Sequence, residues 1–158
     1  MKQDLLKVKL QSALKECDSH LARLDRGYGL LGAFFPLSPS ALTNLEEIRV
    51  EQLDQFLFRF AKLQDAMGAR LFPAVDWLIS GKTESRPFID ILTSLEKYHV
   101  VGSAAAWQEF RELRNNLSHE YPDNVEESAV TLNMLFDRWP SFRGIYSQIR
   151  DFAASRSS

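Results

Sequence analysis

The chain has 158 residues, a length that fits one domain with a core of its own. Hydrophobic residues make up 45% and charged residues 25%, the balance of a soluble globular protein, which excludes global disorder. A formal net charge of −2 excludes a global attraction to RNA, so any nucleic-acid contact must be local. Apolar runs are short and broken by charge, so neither a bilayer-spanning segment nor a secretory leader is expected, and the expected location is cytoplasmic. Cys17 has no second cysteine to pair with and sits among leucines at helical spacing, which reads as a core thiol.

From Leu10 the apolar positions run Leu14, Cys17, Leu21, Leu24, Tyr28 and Leu31, in steps of three and four that keep one stripe facing a partner. This predicts a long first helix, weakened by Gly27, Gly29 and Gly32 and stopped by Pro36 and Pro39. The connection that follows carries Phe34, Phe35 and Leu37, apolar enough either to fold under the bundle or to meet a second protomer or partner. Leu53, Leu57, Phe60, Leu63, Met67, Leu71, Val75 and Leu78 predict a second long helix, kinked by Pro73 and stopped at Gly81 and Lys82. Ser85, Arg86 and Pro87 mark the next start, for a helix using Phe88, Ile91, Leu92 and Leu95 and ending near Val101 and Gly102.

Ser103 is placed to cap a fourth helix beginning at Ala104, and Pro122 should end it within a residue or two of His119. Asn124 with Glu127 three residues on forms a capping box for a last helix through Val125, Ala129, Leu132, Phe136 and Trp139. Pro140 should bend or break that helix before a continuation with Phe142, Tyr146, Ile149 and Phe152. No alternating strand pattern appears, so the expected architecture is all-α: residues 1–158 as a single helical domain, an antiparallel bundle of about five helices. Several apolar seams on so small a bundle leave one for a two-fold dimer.

Chemistry concentrates between Arg111 and Pro122. On a helix, Arg111, Asn115 and His119 share one face with Arg114 and Ser118 beside them, while Phe110, Leu113, Leu117 and Tyr121 form the apolar face. Arg114 and His119 are about 140° apart on an ideal helix, so they converge through arginine reach, a frayed last turn, or a second copy across a dimer. An arginine and a histidine at a helix end can also simply stabilise its carbonyl terminus.

The string Arg114-x-x-x-x-His119-x-Tyr121, with polar Asn115 after the arginine, resembles the signature of HEPN proteins, the all-helical nucleotide-binding domains of higher eukaryotes and prokaryotes. The resemblance covers the motif tightly and the rest of the chain as an all-helical layout of matching length. It implies a toxin of a toxin–antitoxin pair, with Arg114 and His119 carrying metal-independent RNA cleavage. It further implies a small nucleotidyltransferase antitoxin that attaches AMP to Tyr121. A close branch of similar proteins implies instead a non-catalytic substrate-binding subunit of a nucleotidyltransferase.

The residue chemistry suits the first implication. Histidine moves protons in either direction near neutrality, and the planar arginine fork holds two phosphate oxygens at once. Asn115 would orient His119 or a phosphate oxygen, with Arg111 and Ser118 as further phosphate contacts. One chain offers one such histidine and a two-fold homodimer offers two, which predicts a shared cleft. His20 and His99 read as surface residues, and Arg138, Arg143, Arg150 and Arg156 as either a solvated face or an RNA contact. No glycine-rich phosphate loop, paired-histidine zinc helix or cysteine cluster is present, so no cofactor or metal is expected.

Overall fold

The structure is a computed structural model that describes residues 2–82, 84–118 and 124–157. Every regular element among them is helical. α1 spans Lys2–Leu31, a 3-10 turn covers Gly32–Phe34, and α2 covers Pro39–Thr43. α3 (Glu47–Ala66) passes through a π turn at Met67–Leu71 directly into α4 (Phe72–Ser80). α5 (Phe88–Lys97), α6 (Ala104–Ser118) and α7 (Val125–Ser157) follow. With α3, the π turn and α4 taken as one rod there are six helices among the described residues, against about five expected. The addition is α2, which Ser38 caps by accepting from the Ala41 N–H at 3.0 Å, with Pro39 in its first turn.

Side-chain pairs fix the helix directions. Going up α7, Arg143 and Arg150 meet Asp25 and Asp18 going down α1, so α1 and α7 are antiparallel. His20 meets Arg59, and Glu16 meets Arg70 in the following π turn, which makes α1 antiparallel to α3 as well. Phe56 stacks with Phe136 and Phe60 packs edge-on to Phe142, so α3 and α7 run parallel on either side of α1. Asp65 pairs with Arg114 while Gly68 lies against Trp107, which sets α6 antiparallel to α3. Phe142 is the aromatic junction of this arrangement, within 6.2 Å centroid distance of Phe60, Trp107, Phe110 and Trp139.

Neither internal proline breaks its helix. Pro140 sits inside α7, which continues unbroken to Ser157. A proline costs a helix interior about 3 kcal/mol, but Phe136, Trp139, Phe142 and Tyr146 are all buried across this stretch, and their packing outweighs the lost hydrogen bond. Pro73 lies in the first turn of α4, directly after the π turn. Its ring would crowd the carbonyl of Ala69 in a regular helix; widening the preceding turn lets the rod carry on.

α5 ends at Lys97, earlier than the predicted stop near Val101 and Gly102. The chain turns at His99, whose φ is 60°, while Val100 and His99 N–H groups donate back to Leu95 and Glu96 carbonyls at 2.9 and 3.0 Å. This is a Schellman ending with histidine where glycine is usual, sealed by the burial of Val100 against Leu95. Gly81, at φ 69°, closes α4 as expected.

His20 is not a surface residue. It is 9% exposed, its Nδ1 is 3.0 Å from the Arg59 guanidinium and its Nε2 is 3.1 Å from Glu16. The stripe that α1 buries runs Leu10, Ala13, Cys17, His20 and Leu24, one position round from the predicted centre, and this carries His20 into the seam. Burial pushes the Cys17 thiol up to about 12, which keeps it an inert core group. The apolar connection is divided: Phe35 stacks on Phe136 and Leu37 is buried, whereas Phe34 is 43% exposed beneath Arg49. Asn133 of α7 pins that connection, accepting from the Leu37 N–H and donating to the Leu37 carbonyl.

Candidate functional site

α6 is fixed at both its start and its buried face. Ser103 Oγ accepts from the Ala106 N–H at 3.1 Å, as its sequence position predicts, and Glu96 of α5 accepts from the Ala104 N–H at 2.7 Å. Trp107, Phe110 and Leu113 are buried, and Arg111 and Arg114, four and seven residues on from Trp107, share its side of α6, which with Asn115 faces the end of α3. These three residues line one cleft of about 440 Å³ between α6 and α3, bounded also by Gly68 and Ala69 of the π turn.

Within the cleft Arg114 Nη2 donates to Asp65 Oδ2 at 3.0 Å, a pair that remains half open to solvent. Such a pair contributes about 0–1 kcal/mol and is easily exchanged for another anion. The Arg111 guanidinium lies over the Phe88 ring, 5.2 Å from its centroid, which holds the cation at the cleft with no carboxylate paired to it among the described residues. Behind these charges stand Gln64 and Trp107, only 5% and 1% exposed. Gln64 Nε2 and Trp107 Nε1 are sealed from bulk water and have no hydrogen-bond partner among the described residues.

Of the residues singled out by the sequence, the cleft therefore brings together Arg111, Arg114 and Asn115. Ser118 is the last residue of α6. His119 and Tyr121 lie outside the described residues, as does the meeting of His119 with Arg114. The C-terminal arginines are committed elsewhere: Arg143 and Arg150 grip Asp25 and Asp18 with two hydrogen bonds each, Arg138 pairs with Glu109, and Arg156 lies over Phe152. Arg138, Arg143 and Arg150 are interhelical clamps, while the Arg156 contact lies within α7.

Sequence reasoning missed Gln64, Asp65, Gly68, Phe88 and Trp107 as cleft residues. One signal was available: Gln64 follows Phe60 by four on the apolar stripe of α3, a polar residue where the pattern calls for an apolar one. The others depend on which helix packs beside α6. A second groove, of about 400 Å³ between α1 and α3, is lined by Arg23, Arg26 and Arg59 and was likewise not foreseen.

Among the described residues no helix is long and apolar enough to cross a membrane. No family model, curated protein or solved structure matches the chain.

Proposed function

We propose that this chain is a metal-independent ribonuclease of the HEPN type, acting as a cytoplasmic toxin. In this reading a ribose 2′-hydroxyl attacks the adjacent phosphorus and loses its proton to a base, while the 5′-oxygen leaves and takes up a proton, giving a 2′,3′-cyclic phosphate and a 5′-hydroxyl end. His119 handles the protons, Arg114 holds the phosphate oxygens, Asn115 orients one or the other, and Arg111 and Ser118 extend the phosphate contact. Two copies related by a two-fold axis supply the second histidine. A small nucleotidyltransferase antitoxin silences the chain by adenylylating Tyr121.

The observation that carries the reading is the position of Arg114: on the last turns of α6, at an open cleft with Arg111 and Asn115, five residues before His119. Its partner Asp65 is half exposed and replaceable by phosphate. The groove lined by Arg23, Arg26 and Arg59 adds the local positive charge that a chain of net charge −2 needs to hold RNA. The test is cleavage of a model RNA by Arg114→Ala. A loss of about 100-fold or more, with helicity unchanged by circular dichroism, is the expected result; cleavage at the wild-type rate would remove Arg114 from the chemistry.

A second reading is favoured by one observation. The cleft forms within a single chain and has unpaired donors in its walls, which suits a non-catalytic subunit that binds a nucleotide or presents substrate to a nucleotidyltransferase. It predicts nucleotide or partner binding without RNA breakdown.

A further inference from the structure

The groove between α1 and α3 carries charge of one sign and exposed aliphatic groups in a fixed order. Arg23 and Arg26 stand exposed about one turn apart on α1, Arg59 lines the same groove from α3, and Glu51 is the one carboxylate in the lining. Neither Arg23 nor Arg26 is paired with a carboxylate among the described residues. Arg59 is held by His20 instead, and its Nε is sealed from water with no partner among the described residues. At the other end of the groove stand Leu30 and Ile48, both exposed. Gly27 lets the two helices close beneath them: a Cβ there would come to 3.0 Å from the Phe56 ring.

α7 carries the complement. Glu127, Val130, Met134 and Asp137 recur at steps of three and four and so share one face, with Glu126 one turn before Val130. All five are exposed, and the three carboxylates form no ion pair among the described residues. Scattered exposed aliphatic residues are ordinary on a protein surface. Here their order matches across two surfaces. From Glu127 to Met134, and from Arg23 to Leu30, charge gives way to aliphatic surface over the same seven residues, about 10 Å of helix.

We infer that the α1–α3 groove of one copy receives the acidic stripe of α7 from a second copy. Glu126 and Glu127 meet the arginines, and Val130 and Met134 cover Leu30 and Ile48. An RNA strand would use the arginines and leave the aliphatic pair bare, whereas the stripe uses both. Groove and stripe border the same C-terminal half of α1, Tyr28 and Gly32 lining the cavity beside the stripe, so two copies exchange both contacts and close as a pair. None of these residues belongs to the cleft on α6. The arginines are those assigned above to RNA, so the pair is the RNA-free form of the groove, and in that respect alone the inference rests on the proposed function.

The experiment is sedimentation equilibrium of the full chain. Wild-type protein should self-associate, less tightly as salt rises. Arg26→Glu and Glu127→Arg should each weaken association about tenfold or more, while both changes in one chain, or the two single variants mixed in equal amounts, should restore it. If circular dichroism shows that Glu127→Arg loosens the start of α7, the exposed mid-helix pair Leu30→Lys and Met134→Glu serves in the same way. A wild type that stays monomeric, single reversals without effect, or paired reversals that fail to restore association would overturn the contact. A non-cleavable 2′-methoxy RNA should dissociate the pair; RNA bound without dissociation would overturn its assignment as the RNA-free form.

This contact and the ribonuclease reading fail separately. Restored association in a protein that cleaves no RNA would remove the ribonuclease alone. Cleavage that needs His119, in a chain whose association ignores the reversals, would remove the contact alone.

Discussion

His99 holds a backbone conformation that an L side chain adopts at a cost, and it does so because Val100 and Leu95 must close the end of α5. Its ring is exposed and its carbonyl accepts from Gln148 at 2.9 Å, so replacing the side chain sacrifices neither packing nor that hydrogen bond. His99→Gly should therefore raise stability by about 0.5–1 kcal/mol, read from chemical denaturation; a loss of stability would mean the ring itself holds the turn. His20 makes the opposite case. Its ring lies between a guanidinium and a carboxylate, an arrangement that suits Nδ1 as acceptor from Arg59 and Nε2–H as donor to Glu16. Nothing in its own chemistry distinguished these two histidines in sequence. What separates them is a shift of one position in the buried stripe of α1, finer than a spacing argument resolves.

At the scale of elements, long helices were legible because apolar residues recur every three or four positions over many turns. α1, the α3–α4 rod, α5, α6 and α7 all follow from that period, and the caps at Ser103, Asn124 and Gly81 set boundaries where predicted. Five-residue α2 has too few turns to show a period, and Pro140 does not break α7 because burial on both sides of it overrides local propensity. α7 carries a further correctable defect. A Cβ at Gly144 would meet nothing within 4 Å, so its flexibility serves no contact. Gly144→Ala is expected to stabilise the protein by about 0.5–1 kcal/mol, and a lower thermal midpoint would show that the backbone there departs from what alanine accepts.

For the molecule as a whole, the joint between α1 and α7 is electrostatic as well as apolar. Burial by itself raises the Asp18 carboxyl, but hydrogen bonds from Arg150 and Tyr146 and the Arg150 charge outweigh it and hold the group below the usual carboxylate range. A carboxyl with a folded pKa below its unfolded value, about 3.9, adds stability that is complete above that value and vanishes as pH falls through the folded one. Thermal stability should consequently drop below about pH 4, and Asp18→Asn should show a shallower drop between about pH 5 and 2. Parallel curves for the two proteins would remove Asp18 from the acid response. The candidate site divides along the same line between local and global information. Arg111, Arg114 and Asn115 were legible as neighbours because one helix presents them. Gln64, Asp65 and Phe88 join them only through the antiparallel packing of α6 on α3 and the docking of α5, which a single helix cannot encode.

Proposed RNA cleavage through His119 can be read by incubating wild-type and His119→Ala protein with total cellular RNA and a metal chelator, then mapping new ends. Cyclic-phosphate and 5′-hydroxyl ends are expected from the wild type and about 100-fold fewer, or none, from the variant. Equal cleavage by both proteins, or none by folded wild-type dimers shown by mass spectrometry to be free of attached AMP, would contradict it.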